Sequence, residues 1–184
     1  MIKMKKVMLI GDSIRLSYQE QTEKLLAGKA DVWGPEDNCR FAKYTLWNCG
    51  AWFEMAGRPE IVHWNNGIWD MYKVTSDGLV FTSLDEYIKT LERVFYEWKM
   101  RNLSVIWAST TAVNPNPVID TRTIDRYNAA AAEFMSGKGV LIMDLNSVIK
   151  KDMVNYLAED AIHLTEKGVG ACAAEIAKSI ERLL

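Results

Sequence analysis

Five short runs dominated by apolar residues punctuate the chain, at residues 7–10, 30–33, 61–64, 103–107 and 140–143. They are near-continuous rather than alternating, the pattern of strands covered on both faces in a parallel sheet. Stretches of helical period lie between them. Ser83-Leu84-Asp85-Glu86 reads as a capping box, with Ser83 as N-cap and Glu86 reaching back to it. Leu84, Tyr87, Ile88, Leu91, Val94, Phe95 and Trp98 then form one apolar stripe. An alanine-rich helix is predicted over residues 123–135. A last helix, capped by Thr165, carries Val169, Cys172, Ala173, Ile176, Ile180 and Leu183 on one face.

Strand and helix alternate to the end, so the expected fold is a three-layer α/β/α domain with a five-stranded parallel, flavodoxin-like sheet and right-handed crossovers. The whole chain, 1–184, reads as one domain, with no repeat, linker or low-complexity tract. Asn114-Pro115-Asn116-Pro117 is expected to be a rigid loop after strand four. In such sheets, sites gather beyond the carboxyl ends of the strands. Ser13, Asn38, residues 65–70 and residues 110–114 should therefore share one edge, within reach of a late loop carrying Asp160 and His163.

Composition narrows the classes. The net charge is -2, which gives no basic field for nucleic acid or an anionic membrane, and no segment is long enough to span a bilayer. The three cysteines (Cys39, Cys49, Cys172) form no C-x-x-C and no zinc spacing, so they are expected to be reduced thiols. The basic start, Met1 to Lys6, leads directly into strand one rather than into a signal peptide. A cytoplasmic location is the expectation for the chain as given, with export the alternative if a leader has been trimmed. Oligomeric state is not legible. Seven tryptophans are many for 184 residues. Trp33, Trp47, Trp52 and Trp64 are expected in the core, whereas Trp69, in a loop after strand three, should rim a pocket.

The candidate chemistry lies at the two ends. Gly11-Asp12-Ser13 follows strand one, and Asp160-Ala161-Ile162-His163 precedes the last helix. A serine hydroxyl becomes nucleophilic when an imidazole takes its proton, and a carboxylate fixes that imidazole's tautomer. Each part has a plainer reading. Ser13 or Asp12 can serve as a helix N-cap, Asp160 can be a loop charge, and Glu159 is a rival orienter. Of the only two histidines, His63 sits mid-strand among apolar neighbours and reads as core.

These two blocks resemble those of the GDSL/SGNH hydrolases. Gly11-Asp12-Ser13-Ile14 is similar to the first block, with isoleucine for its usual leucine, and Asp160-Ala161-Ile162-His163 to the last. The resemblance implies Ser13 as nucleophile, His163 as base and Asp160 as its partner, with no metal or cofactor. The middle blocks depart from the family pattern. Residues Pro35-Glu36-Asp37-Asn38-Cys39-Arg40 lack the usual glycine, which leaves Asn38 as a stand-in oxyanion donor or a simple turn residue. Where the family has G-x-N-D, this chain has Gly67-Ile68-Trp69-Asp70, so Asn65 or Asn66 just upstream is expected to give the second donor, with Asn65 preferred. The segment from His63 to Asp70 resembles a subgroup reading H-F-N-x-G-L-H-D. That subgroup tends to have T-T-P after strand four, where Thr110-Thr111-Ala112 stands here.

Arg15 and Arg40 lie close to these positions, either as solvated surface charges or as clamps for a substrate anion. The resemblance, and the absence of a lid-like insertion, imply a serine esterase acting on a small acyl group, acetyl, carried by a carbohydrate or similar polar alcohol. The expected partner is thus a small-molecule or oligosaccharide ester. A lysophospholipase or thioesterase on the same triad, and a non-catalytic carbohydrate-binding relative, are the alternatives.

Overall fold

A computed structural model describes residues 4–184; Met1, Ile2 and Lys3 of the basic start lie outside the described residues. The elements run β1 (Lys5–Ile10), α1 (Ser13–Leu25), β2 (Ala30–Trp33), α2 (Ala42–Met55), β3 (Ile61–Trp64), α3 (Leu84–Met100), β4 (Ser104–Ala108), α4 (Thr121–Gly137), β5 (Leu141–Met143), α5 (Leu145–Lys150), α6 (Met153–Tyr156) and α7 (Glu166–Glu181). All five strands are parallel, in the order β2-β1-β3-β4-β5. The order reverses between β1 and β3, and the crevice beyond their carboxyl ends is where such sheets place a site.

Each face of the sheet is covered because the strands are apolar on both sides. Met8, Ile10, Val62, Trp64, Val105 and Trp107 pack against α2, α3 and α4. Val7, Leu9, Ile61, Ile106 and Ala108 pack against α1, α5 and α7. The stripes of α3 and α7 face these layers, with Tyr87, Leu91, Val94, Trp98, Cys172, Ile176 and Ile180 buried. Ser83 Oγ accepts the Glu86 N–H, and Thr165 Oγ1 accepts the Gly168 N–H. Only half of the expected capping box forms, because the Glu86 carboxylate pairs with Lys43 across to α2. The alanine-rich helix starts earlier than expected, at an Asp120 cap, and ends later.

One expectation is corrected. Trp47 is not core: on the outer face of α2 it is 85% exposed. The short helices α5 and α6 are too brief to show a period. And the connection from β3 to α3, residues 65–83, is longer than the ~12–15 residues beyond which a loop usually carries a function of its own. His63, as expected, is fully buried, its ring edge-on to Tyr18, and burial pushes its pKa down to about 4. All three cysteines are free and buried. Among the described residues no helix is long and apolar enough to cross a membrane.

Candidate active site

Ser13 opens α1 directly after β1. The buried Asp12 is its N-cap and accepts the Ile14 N–H at 3.0 Å. This leaves Ser13 half-buried in the first helical turn, where backbone N–H groups have no partners within the helix and favour negative charge. Burial lifts the Asp12 carboxyl to about 6, against the pull of the Ile14 N–H, Arg15 and His163. Gly11 permits the tight approach of this turn to β3: a Cβ there would lie 2.7 Å from Arg15 Cβ and 2.9 Å from the Asn65 carbonyl oxygen.

The late loop reaches this turn. His163 Nε2 lies 2.9 Å from Ser13 Oγ, and His163 Nδ1 lies 2.5 Å from Asp160 Oδ2. Asp160 Oδ1 accepts the backbone N–H groups of Ile162 at 3.0 Å and His163 at 2.8 Å. These contacts, His163 first, hold the Asp160 carboxyl down at about 2. Ala161 takes a positive φ of 69°, and its carbonyl accepts the Asn114 N–H at 2.9 Å. The Asn114 loop therefore braces the turn that aims His163. This cluster is open to solvent, with the His163 and Asp160 side chains 47% and 50% exposed.

Asn38 is brought to the same edge. The neighbouring Cys39 N–H donates to the Gly11 carbonyl at 3.1 Å, which seats the β2–α2 loop beside the serine turn. Asn38 Oδ1 accepts the Arg40 N–H at 2.8 Å and so fixes its carboxamide, while its Nδ2 has no protein partner among the described residues. Arg40 takes a left-handed φ of 50°, a conformation in which glycine is usual. Its side chain stays exposed, 4.8 Å over the Tyr44 ring and 3.9 Å from Asp37.

Asn65 and Asn66 are not oxyanion donors. Asn65 Nδ2 donates to the Ala108 and Ser109 carbonyls at 3.1 and 3.0 Å, which stitches β3 to the end of β4. Asn66 Nδ2 donates to the Arg40 carbonyl at 3.0 Å, and its Oδ1 accepts from Thr45 Oγ1 and Trp64 Nε1. Both side chains are buried and both Nδ2 groups donate to protein carbonyls, so these amides brace the strand ends. Gly67 serves by being small: a Cβ on it would lie 2.2 Å from Thr110 Oγ1, at a φ of 155°.

Arg15 is neither a surface charge nor a substrate clamp. Its guanidinium is completely buried and donates to Gln19 Oε1 at 2.5 Å, the Pro35 carbonyl at 2.8 Å and the Asp37 carbonyl at 2.7 Å. The arginine thus ties α1 to the loop that carries Asn38. Asp70 works from the other side, accepting the Ala42 N–H at 2.9 Å at the start of α2. Trp69 is half-buried, with its ring centroid 6.1 Å from that of Tyr72. Tyr72 was not singled out in the sequence. Its hydroxyl is pushed up to about 12 by burial, and further by the charges of Asp12 and Asp160. The one mark it leaves in the sequence is the length of the connection after β3 that carries it. A cleft of about 790 Å³ between α2 and α3, lined by Phe53, Tyr96, Met100 and Arg101, lies at the opposite, amino end of the strands.

No family model matches the sequence, and no curated protein does either. Among solved structures, the chain is similar to a lipase/acylhydrolase from Enterococcus faecalis, at a TM-score of 0.83 and 17% identity over 98% of this chain and 97% of the other. It is similar to an acetylxylan esterase from Geobacillus stearothermophilus, at a TM-score of 0.79 and 18% identity, covering 96% and 94%. A GDSL-like lipase from Bacteroides thetaiotaomicron gives a TM-score of 0.77 at 16% identity, covering 98% and 89%. At these identities the likeness is one of fold, and it extends over essentially the whole chain.

Proposed function

We propose that the protein is a GDSL/SGNH-type serine esterase that removes a small acyl group, acetyl, from a carbohydrate or similar polar alcohol. The observation that carries this reading is the unbroken chain from Ser13 Oγ through the His163 ring to Asp160, at 2.9 and 2.5 Å. His163 Nε2 takes the Ser13 proton as Oγ attacks the ester carbonyl, while Asp160 holds Nδ1–H and stabilises the imidazolium. The carbonyl oxygen becomes an oxyanion facing the Ser13 N–H at the start of α1 and the free Nδ2 of Asn38. His163 returns its proton to the leaving alcohol, which leaves an acyl-serine. Water, activated by the same imidazole, then releases the carboxylic acid and restores Ser13.

The fold neighbours support an ester substrate, and the one from Geobacillus stearothermophilus is an acetylxylan esterase. The open, half-exposed triad suits an ester carried on a bulky polar chain. A second reading, a longer-chain acylhydrolase, draws on the exposed apolar side chains of Val74, Leu79 and Phe81 in the connection after β3. Hydrolysis of p-nitrophenyl esters from C2 to C8, alongside acetylated xylo-oligosaccharides, tests both. Highest kcat/KM on acetyl esters, abolished in Ser13→Ala, is expected. A steep rise toward C8 would favour the second reading, and equal rates in Ser13→Ala and wild type would overturn both.

A further inference from the structure

Two of the three side-chain amides near the serine turn are consumed by protein carbonyls, so the site has fewer oxyanion donors than its asparagines suggest. One further N–H is available. The turn 66–70 is pinned at both ends to the segment beside Ser13: Asn66 Nδ2 holds the Arg40 carbonyl, and Asp70 Oδ2 holds the Ala42 N–H. That segment is itself fastened to Gly11 through the Cys39 N–H. Trp69 sits within this ring of backbone.

Its ring lies 6.1 Å, centroid to centroid, from that of Tyr72 in the same connection. Trp69 also packs against the same apolar cluster as Ile162, the residue before His163. The other site-side indole is spoken for, because Trp64 Nε1 donates to Asn66 Oδ1 at 2.7 Å. Trp98 and Trp107 Nε1 are sealed in the core without partners. Trp69 Nε1 has no protein partner among the described residues either, yet its side chain is only half-buried, so its N–H is open to a ligand.

We propose that the Trp69 indole N–H is a catalytic hydrogen-bond donor to the oxyanion, acting with the Ser13 N–H and Asn38 Nδ2. The proposal rests on the esterase reading above. Indole is a donor only, so it cannot compete for the serine proton or accept the leaving group's proton. Its contribution appears as charge develops on the carbonyl oxygen, which predicts an effect on kcat rather than on KM.

The test uses the intact protein with 15N-labelled tryptophan, before and after phosphylation by a dialkyl p-nitrophenyl phosphate, which loses p-nitrophenolate as Ser13 Oγ bonds to phosphorus and leaves the phosphoryl oxygen in the oxyanion position. A single adduct on Ser13 together with a downfield shift of the Trp69 Nε1–H resonance is expected. In parallel, Trp69→Phe, which keeps an aromatic ring and loses the N–H, should lower kcat on p-nitrophenyl acetate ~100-fold with KM nearly unchanged, the scale of losing one oxyanion donor. Trp69→His, which restores a ring N–H, should recover part of the loss. An adduct on Ser13 with the Trp69 resonance unmoved, or wild-type kcat in Trp69→Phe, overturns the donor role and leaves the esterase reading standing. No adduct on Ser13 in folded protein overturns the esterase reading and this inference with it.

Discussion

Asp160 holds His163 at two points: Oδ2 lies 2.5 Å from Nδ1, and Oδ1 accepts the His163 backbone N–H at 2.8 Å. The second contact fixes the loop, and the first fixes the tautomer that leaves Nε2 able to accept the Ser13 proton. Asp160→Asn keeps a backbone acceptor but no longer enforces that tautomer. We expect kcat to fall ~100- to 10,000-fold with KM little changed and the melting temperature near that of wild type. Steady-state kinetics on p-nitrophenyl acetate, paired with a thermal melt, checks this.

Asn38 offers a clean separation of its two functions. Asn38→Asp retains the oxygen that accepts the Arg40 N–H and so keeps the loop, but it replaces the free donor with a charged acceptor. A fall in kcat of ~100-fold or more is expected, at the scale of a lost oxyanion donor made worse by repulsion. Asn38→Ala should lose as much activity and also lower the urea midpoint. Unchanged kcat in both variants would remove Asn38 from the site.

The buried Arg15 guanidinium is expected to be worth more to folding than to substrate binding. Arg15→Met leaves the Pro35 and Asp37 carbonyls and Gln19 without their donor. A loss of ~3 kcal/mol in the urea unfolding free energy should follow. Arg15→Lys should recover less than half of this, because one ammonium cannot reproduce a planar fork across three acceptors. If Arg15 instead bound a substrate anion, stability would be unchanged and KM would rise.

Asp70 gives stability a pH dependence with a definite sign. Burial raises its carboxyl from 3.8 to about 7. Between these values the folded protein keeps a proton that the unfolded chain has released. The stability from this group is therefore complete below the unfolded value and is lost as pH rises through the folded one. Asp70→Asn, which keeps an acceptor for the Ala42 N–H, should remove that loss. The variant should match wild type at pH ~4 and exceed it by ~4 kcal/mol at pH ~8, read from chemical denaturation. Asp12, raised to about 6 for the same reason, should leave a weaker slope in the variant.

The layer architecture was legible because the continuous apolar runs and the stripes of α3 and α7 depend on burial, which sequence periodicity records directly. The meeting of Ser13, His163 and Asp160 was legible because Ser13 and His163 each sit in a short local motif at a strand end or helix start. The donors were not. Asn65 looked available because its position after β3 was visible, whereas the Ala108 and Ser109 carbonyls that engage it arrive from a strand more than forty residues away. Arg15 looked like a surface charge for the same reason. Its acceptors are backbone carbonyls of the β2–α2 loop, and a carbonyl leaves no mark in the sequence. Trp47 was misplaced because a single large side chain on the outer face of α2 breaks no period.

The central claim is that Ser13 is a nucleophile activated by His163, and active-site labelling tests it most directly. Intact-mass and peptide mapping after incubation with a fluorophosphonate should show one adduct, on Ser13. It should be absent in Ser13→Ala and formed at least ~100-fold more slowly in His163→Ala, as expected when the activating base is lost. Folded wild-type protein that takes up no label on Ser13, or a Ser13→Ala variant labelled as fast as wild type, would contradict the account.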